Sequence, residues 1–381
     1  MEEINGYLMS KDTRIARIDN DSVTPINEQL MPYFFLRGNP SIVDWLRTRA
    51  NDNSRVNSRL LRHALKIART DDAKASAYVN GACITDNYWI KPDGSELTYE
   101  DVRFKENQFA MLSLHGDTNI FQYDLQKLDT HTPDLTSIGS YDKCWIYHDD
   151  AWYLQKRGTK EQIYSEMMAY EVGKRLGFNM AEYRIIDDNT IETKDFTDNA
   201  AVNFEPMQSI IGEEEFDLQK DAAALEKILP GATADFLQIQ YLDAIIRNPD
   251  RHEFNYGVLR DVKTGRVTSM APNFDNNLAL IANAPIASAI RDQETGLKDF
   301  ATFYNDVVSS FIVPEPLTAA EIKVISDSIS VQPVAAAEVP QFIANGMEQI
   351  QERTIIKEHS VGYEPFENLD ITKEAEHHHK K

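Results

Sequence analysis

Oxygen-bearing side chains in two polar stretches of the second half of the chain have the chemistry for group transfer. Asp250 and Asn255 lie in the stretch 247–257, and Asp275 lies in the stretch 272–277. Transfer of a phosphoryl group needs a carboxylate that orients the attacking hydroxyl and accepts its proton. It also needs a carboxylate and a neutral oxygen ligand that hold Mg²⁺ against the phosphates. These three side chains therefore indicate phosphoryl-transfer chemistry.

The spacing of the three residues supports that interpretation. Asn255 follows Asp250 by five residues, which is the spacing between the base and the Mg²⁺-binding Asn in the catalytic loop of protein kinases. A predicted hairpin of Tyr256–Arg260 and Arg266–Met270 then returns the chain and brings Asp275 back beside Asn255. Taken singly, Asn-Pro-Asp and Asp-Asn-Asn are also common turn sequences. The joint pattern is more specific than either turn, so we favour the functional interpretation.

Phosphoryl transfer also needs a cation that binds the nucleotide phosphates, and a lysine on a strand can supply it. Lys156 ends a predicted strand, and a Lys in that place reaches the α- and β-phosphates if an acidic residue of the next helix holds it. Glu166 and Glu171 both lie on that helix. We prefer Glu166, because it shares the helical stripe of Ile163 and Tyr170. An exposed lysine at a strand end is the structural alternative. Arg157 and Lys160 are the alternative cations.

The segment 135–143, which precedes that strand, contains small residues and one glycine. Ser137, Gly139 and Ser140 would let backbone N–H groups approach a phosphate. By itself the segment is also typical of an ordinary surface loop. A Walker-type phosphate loop and the dinucleotide pattern Gly-x-Gly-x-x-Gly are absent from the sequence. The His-Glu-x-x-His pattern and cysteine clusters are absent too, which argues against a catalytic zinc site.

The elements that position these residues follow from periodicity and turn signals. Apolar residues at helical spacing predict helices, and alternation between turn signals predicts strands. In chain order, the predicted elements are helices within 40–70, an extended segment Ser76–Ile90, a linker at 116–133, a hairpin of Lys143–Tyr147 and Ala151–Lys156, a helix Glu161–Leu176, a hairpin of Tyr183–Ile186 and Thr190–Phe196, a helix Ala234–Arg247, the hairpin that precedes Asp275, and helices through most of 298–358.

The distribution of these elements predicts an α+β fold with two lobes and a separate N-terminal α+β domain. Residues 135–200 are strand-rich around one helix, and residues 215–358 are helical with one inserted hairpin. The predicted divisions are an N-terminal accessory or recognition domain (1–130), a strand-rich N-lobe (131–200), a helical C-lobe (201–365) and a solvated tail (366–381).

Composition narrows the classes of partner. The chain has 381 residues, and 39 Lys and Arg against 61 Asp and Glu give a net charge of −22. That charge repels nucleic-acid backbones and anionic membranes, so we expect neither direct nucleic-acid binding nor a membrane partner. No stretch approaches the length of an uninterrupted apolar membrane span. Cys83 and Cys144 are too few for a disulfide framework, and the N-terminus does not look like a signal peptide. We therefore expect a cytoplasmic protein.

The motifs around Asp250 and Asp275 resemble those of the HipA-like kinases, a bacterial family with a protein-kinase-like fold. The resemblance rests on Asn-Pro-Asp-Arg-His-Glu-Phe-Asn at 248–255 and on Pro-Asn-Phe-Asp-Asn at 272–276. Lys156 and the Tyr-Ser-Glu of the following helix support it. The resemblance covers about 135–330, and the segment before residue 130 does not resemble the N-terminal subdomain of the toxin members. We therefore do not extend it to a DNA-binding antitoxin or to a tRNA-synthetase substrate.

The resemblance implies ATP- and Mg²⁺-dependent phosphorylation of Ser or Thr in an unidentified protein substrate. By motif position, Asp250 looks like the base, and Asn255 and Asp275 look like the metal ligands. Lys156 looks like the lysine for the ATP phosphates, with Glu166 as its preferred partner. The resemblance thus assigns a chemical role to each of the residues that the spacing singled out.

The resemblance also bears on the loop, the adenine and the alternatives. Family members can phosphorylate themselves in the glycine-containing loop, which directs attention to Ser137 and Ser140. The adenine is expected where the lobes join, near Lys194, Asp195 and Phe196. Two other classes stay open, a nucleotide-binding pseudokinase that serves as a scaffold and a kinase for a lipid or small molecule. The lack of a basic amphipathic helix counts against a membrane lipid.

Overall fold

The computed structural model describes residues 3–38, 40–68, 71–119, 128–139, 141–212 and 217–358. Helices and antiparallel sheets are mixed along the chain, which confirms the predicted α+β class. An N-terminal domain precedes two lobes. The polar stretches 247–257 and 272–277 lie where the lobes and this domain meet. Among the described residues, no helix is long and apolar enough to cross a lipid bilayer.

The N-terminal domain is a four-stranded antiparallel sheet with helices around it. Its elements are β1 (Gly6–Ser10), β2 (Thr13–Asp19), β3 (Ser22–Pro25), α1 (Ile42–Arg49), α2 (Val56–Ala64), α3 (Asp72–Tyr78), β4 (Tyr88–Pro92), α4 (Tyr99–Val102) and α5 (Ala110–His115). The strands follow the order β3-β2-β1-β4. Leu8, Ile15 and Ile18 of the sheet pack on Trp45 and Leu46 of α1. Sheet and helix therefore share one core.

The prediction of an extended segment over Ser76–Ile90 is wrong for most of its length. α3 runs to Tyr78, and β4 begins only at Tyr88. The side chain of Asp71 accepts a hydrogen bond from the Lys74 N–H and caps α3. The alanine-rich sequence behind this cap favours a helix. Capping and propensity account for the helix over residues 76–78. Residues 79–87 instead form turns and loop, with left-handed φ of 57° at Asn80 and 69° at Gly81.

The N-lobe consists of two hairpins around one helix, as predicted. Its elements are β5 (Lys143–His148), β6 (Ala151–Arg157), α6 (Lys160–Arg175), β7 (Tyr183–Asp187) and β8 (Thr190–Lys194). The strands follow the order β5-β6-β8-β7. Asp149 and Asp150 form the first turn with φ of 50° and 59°, the left-handed values that a tight two-residue hairpin requires. Thr159 and Gln162 form a capping box that starts α6.

The C-lobe surrounds a buried helix and carries a three-stranded sheet. Its elements are β9 (Val202–Pro206), α7 (Met207–Ile211), α8 (Leu218–Ile228), α9 (Ala232–Ile246), β10 (Gly257–Asp261), β11 (Val267–Met270), α10 (Ile286–Asp306), α11 (Ala319–Ser328) and α12 (Val339–Glu358). The predicted hairpin is β10–β11. β9 was not predicted and pairs with β10. Phe236, Tyr241 and Ile245 of α9 are buried in the largest apolar core, together with residues of α10 and α12.

The N-terminal domain packs against both lobes. Trp145 and Trp152 of the N-lobe share a core with Leu61 of α2. On the C-lobe side, the buried carboxylate of Glu205 pairs with Arg260 and accepts hydrogen bonds from residues of the N-terminal domain, namely the Tyr33 N–H at 2.7 Å and the Tyr88 hydroxyl at 3.2 Å. The predicted domain boundary near residue 130 stays a prediction. The predicted division at residue 365 and the tail lie outside the described residues.

We expect Arg260→Met to destabilise the protein by about 3–5 kcal/mol, the usual cost of removing one partner from a buried ion pair. The variant leaves Glu205 buried without its cation, and it removes the donors to the carbonyl oxygens of Gln29 and Met31. Urea unfolding measures the loss. Lys323→Met is the control, because Lys323 pairs with Asp327 on the exposed surface of α11. Equal stabilities of the two variants would contradict this account of the domain contact.

Candidate active site

The loop that carries Asp250 starts at a sharp exit from α9. The helix ends at Ile246, and Arg247 adopts a left-handed φ of 48°. The side-chain amide of Asn248 donates to Asp243 at 3.0 Å, and its Oδ1 accepts the Asp250 N–H at 3.1 Å. This Asn thus ties the loop back to the helix and fixes the backbone of Asp250.

The buried guanidinium of Arg251 organises this loop. It donates to both carboxylate oxygens of Asp243, at 2.8 and 2.9 Å, and to the carbonyl oxygens of Asn255 at 2.8 Å and Phe274 at 2.9 Å. Further bonds reach the side-chain oxygens of two asparagines beside Asp275, Asn273 at 3.0 Å and Asn276 at 2.8 Å. One arginine therefore joins α9, the loop with Asn255 and the segment that carries Asp275.

Asp275 follows the β10–β11 hairpin and sits against the N-lobe. Its φ of 64° is left-handed, a conformation that costs a non-glycine residue on the order of 1 kcal/mol. Its N–H donates to the Tyr183 hydroxyl at 3.1 Å, and the next N–H, of Asn276, donates to Glu166 Oε1 at 2.8 Å. Contacts with β7 and α6 therefore hold this segment in place.

Lys156 lies between two carboxylates. Its Nζ is 2.6 Å from Asp275 Oδ1 and 3.8 Å from Glu166 Oε2, and all three side chains are largely buried. Glu171, the other acidic residue considered for this partnership, instead lies 3.7 Å from Lys174 at the surface. The geometry therefore places Glu166, rather than Glu171, beside the lysine.

Mutual attraction keeps the closest pair charged. Burial alone would raise the pKa of Asp275, but the ammonium groups of Lys156 and Lys143 and the guanidinium of Arg251 hold it well below its ordinary value. Burial alone would lower the pKa of Lys156, and the carboxylate of Asp275 outweighs this and raises it. An ionised carboxylate and a charged lysine therefore face each other at the lobe contact.

The other two carboxyl groups have raised pKa values. Burial raises the pKa of Glu166 even though Lys156 lies nearby, and its Oε2 accepts no hydrogen bond from the described residues. Burial also raises the pKa of Asp250, with a further contribution from the charge of Asp275. The raised value moves Asp250 towards the range in which a carboxylate works as a general base at neutral pH.

These residues meet at a cavity of about 670 Å³ between the two lobes and the N-terminal domain. Asp250, Asn255, Asp275 and Lys156 all line it, whereas Glu166 lies behind Lys156. The N-terminal domain supplies one wall of the cavity, with Trp45, Arg47, Thr48, Arg49, Asp86 and Tyr88 among the lining residues.

The glycine-containing loop forms part of the same cavity. Ser137 and Gly139 line it, and Gly139 has a φ of 108°, which favours glycine. The Lys143 ammonium donates to the Ile138 carbonyl oxygen at 2.7 Å, and a Cβ on Gly139 would collide with that ammonium. Ser140 lies outside the described residues.

Lys143 is a cation that the sequence analysis missed. It is buried, lines the cavity and faces Lys156 across the β5–β6 ladder. Burial lowers its pKa to about 7, and the charge of Lys156 adds to that effect. The predicted hairpin could have identified it, because Lys143 lies opposite Lys156 and paired residues of a hairpin lie on the same face of the sheet. Arg157 and Lys160 instead lie at exposed positions, and Lys160 pairs with Asp188.

Aromatic residues line the cavity where the lobes join. Lys194, Asp195 and Phe196 line this part, and so do residues 204–206, 208 and 209 on and after β9. The assignment of the first three to an adenine site stays a prediction. The ring centroids of Phe196, Phe204 and Phe274 are 5.4–5.8 Å apart. Together these rings give the cavity an apolar wall. The contribution of β9 was not expected from the sequence, because that strand was not predicted.

Among the described residues, no three His, Cys, Asp or Glu side chains gather as a metal site. One carboxylate and one amide nevertheless fit Mg²⁺, because this ion keeps several water ligands and takes others from phosphates. The Asn255 side-chain amide donates to the Asp250 carbonyl oxygen at 3.0 Å, which fixes that side chain. The ionised Asp275 and the fixed Asn255 line the same cavity.

We expect Lys156→Met to destabilise the protein more at about pH 8 than at about pH 5. Without the ammonium group, the buried Glu166 and Asp275 lose their nearest cation, and their pKa values rise above those of the unfolded chain. The folded variant then binds more protons than the unfolded chain, so its stability falls as the pH rises. Urea unfolding of wild type and variant at both pH values measures this difference.

Lys160→Met is the matched control, because Lys160 lies at the start of the neighbouring helix and pairs with Asp188 in solvent. Its effect on the free energy of unfolding should be small at both pH values. A deficit of Lys156→Met that is independent of pH, or that grows towards acid pH, would contradict the charge assignment.

No family model and no curated protein match the sequence. The structure of the chain is similar to solved structures. HipA of Shewanella oneidensis MR-1, from a toxin–antitoxin complex of HipA with HipB and its operator DNA, is 11% identical with a TM-score of 0.52, over 94% of this chain and 100% of that chain. The proinflammatory kinase CtkA of Helicobacter pylori is 18% identical with a TM-score of 0.43, over 57% of this chain and 95% of that chain. The Rio2 kinase of Chaetomium thermophilum, in complex with ADP/Mg²⁺ and phosphoaspartate, is 14% identical with a TM-score of 0.29, over 75% and 87%.

At these identities the likeness concerns the fold. The overlap with HipA covers 94% of this chain, so it extends well beyond residues 135–330 and into the N-terminal domain. The expectation that the resemblance stops before residue 130 is therefore wrong at the level of the fold. The predicted architecture of two kinase-like lobes with an N-terminal domain is confirmed. This chain has a HipA-like, protein-kinase-like fold.

Proposed function

We propose that this protein is a cytoplasmic kinase that transfers the γ-phosphoryl group of Mg-ATP to Ser or Thr of a protein, its own chain included. The observation that carries the proposal is that Asp250, Asn255, Asp275 and Lys156 line one cavity between the lobes. These are the residue types that phosphoryl transfer needs, in a fold that supports kinase-like phosphotransfer.

In this proposal, the charged centre of the cavity receives the triphosphate. Lys156 and Lys143 are the cations for the phosphate oxygens, and the loop around Gly139 offers backbone N–H groups. The apolar wall around Phe196 and Phe274 suits the adenine ring. This arrangement follows the chemistry of the lining, because the lysines and the aromatic rings line the same cavity.

Asn255 and Asp275 are the residues that would hold Mg²⁺. The set fits the ion, because Asp275 is ionised and Asn255 is fixed by its bond to the Asp250 backbone. When bound, Mg²⁺ would neutralise negative charge on the phosphates. Asp250 orients the acceptor hydroxyl and takes its proton, and Arg251 keeps the loop in the required shape.

The acceptor would be a hydroxyl that reaches Asp250. Ser137 and Ser140 are proposed acceptors in the chain itself, although Ser137 is buried and becomes accessible only if the loop moves. We propose no nucleic-acid or membrane partner, because the net charge of −22 opposes both. The structure of HipA comes from a complex with HipB and operator DNA, and that association is a property of HipA.

We expect Asp250→Ala to lower phosphoryl transfer by about 10²–10⁴-fold, the usual contribution of a general base, and to leave Mg-ATP affinity nearly unchanged. Asp275→Ala should abolish transfer and weaken Mg-ATP binding as well, because it removes a proposed metal ligand. The experiment is incubation with γ-labelled ATP and Mg²⁺, followed by mapping of the label, with nucleotide affinity measured by calorimetry.

Asp188→Ala is the control, because Asp188 is an exposed partner of Lys160. Normal transfer by Asp250→Ala and Asp275→Ala would overturn the proposal. Binding of Mg-ATP without label on any protein would favour the pseudokinase, and label on a lipid or metabolite would favour a small-molecule kinase.

We expect the acid limb of the pH profile of kcat/KM to lie above the ordinary Asp pKa of about 3.9, because burial raises the pKa of Asp250. As the pH falls through this limb, Asp250 takes up a proton and stops accepting the one from the acceptor hydroxyl. Transfer rates from about pH 4 to pH 8 measure the limb. A limb at or below the ordinary Asp value would show that a different group controls the reaction.

A further inference from the structure

We propose that Arg55 of the N-terminal domain is a positioning residue that shapes the glycine-containing loop for the nucleotide phosphates. This inference rests on the proposed function, and it gives the N-terminal domain a part in the nucleotide site itself. Arg55 precedes α2, in a region that the sequence analysis could assign only to an accessory or recognition role.

The guanidinium of Arg55 reaches across the domain contact to both ends of the loop. It donates to the carbonyl oxygen of Ser137 at 2.6 Å and to that of Tyr141 at 3.1 Å. Two further bonds join the N-terminal domain to the residues just before the loop, from the Thr136 hydroxyl to Ala82 at 2.8 Å and from the Asn51 N–H to Leu135 at 2.9 Å. The domain therefore holds the loop at both ends.

Cations on two sides donate hydrogen bonds to three carbonyl oxygens of the loop. Arg55 binds those of Ser137 and Tyr141, and Lys143 binds that of Ile138. In the described part of the chain, the backbone N–H groups of Ile138, Gly139 and Tyr141 donate to no other residue. Carbonyl oxygens held by cations, beside N–H groups that lack partners, suit these described residues of the loop to bind an anion.

Arg55 is costly to keep in this place, which argues against a purely structural role. Its side chain is buried, and no described carboxylate forms an ion pair with it. Burial lowers its pKa, and the nearest carboxylates, Asp134, Asp142 and Asp52, compensate only in part. A neutral side chain would pack at lower cost, because an unpaired buried charge pays a desolvation penalty. The buried charge of Arg55 instead binds two carbonyl oxygens of the loop.

The test compares a ligand with phosphates and a ligand without them. We expect Arg55→Met to raise the Kd for Mg-ATP at least about tenfold, a loss typical of hydrogen bonds from a charged group, and to leave the Kd for adenosine nearly unchanged. Arg55→Lys keeps the charge but lacks the two-pronged donor geometry, so it should give an intermediate ratio of the two Kd values. Competition calorimetry of the full chain measures both ligands.

Arg37→Met is the matched control. Arg37 also belongs to the N-terminal domain and donates to two backbone carbonyl oxygens of the C-lobe, those of Gln208 at 3.0 Å and Ser209 at 2.9 Å. A role limited to docking the domain would change both affinities alike, so Arg37→Met should keep the wild-type ratio of the two Kd values.

The outcomes separate this inference from the proposed function. A wild-type ratio in Arg55→Met, while the wild-type protein binds Mg-ATP, would overturn the role of Arg55 and leave the proposed function standing. If Arg55→Met does not fold, an unchanged ratio in Arg55→Lys overturns the inference in the same way. Failure of the wild-type protein to bind Mg-ATP would overturn both.

Discussion

The pair of Lys156 and Asp275 is the interaction on which the candidate site depends. It joins a strand of the N-lobe to a loop of the C-lobe at 2.6 Å, and both side chains are largely removed from solvent. Opposite charges in such surroundings stay ionised only while they face each other. The contact therefore fixes the distance between the lobes and also keeps a cation and an anion ready at the cavity between them.

The rest of the site is built to hold that pair. Arg251 binds the loop of Asn255 and the segment of Asp275 to α9, and Glu166 holds the next N–H after Asp275. These bonds keep Asp275 in a left-handed backbone conformation that an isolated chain would avoid. The N-terminal domain adds Arg55 from a third side, so the cavity is shaped by all three parts of the chain.

Much of this arrangement follows from local sequence, and the remainder does not. The hairpins of the N-lobe, α6 and the return of Asp275 have turn and periodicity signals that need no tertiary information. β9 lacks such a signal, because its pairing with β10 is a contact between distant parts of the chain. Lys143 could have been found from its position opposite Lys156 in the predicted hairpin, whereas the role of Arg55 arises from burial and from partners across the domain contact and has no local signal. The choice of Glu166 over Glu171 was suggested by the helical stripe, and the geometry agrees with it.

The central claim is that these buried charges form the site of the nucleotide phosphates, and a crystal structure with Mg²⁺ and a non-hydrolysable ATP analogue tests it most directly. The account predicts a triphosphate on Lys156, a metal ion bound by Asn255 and Asp275, and an adenine against the wall of Phe196 and Phe274. A nucleotide bound elsewhere, or a metal ion that contacts neither Asn255 nor Asp275, would contradict it.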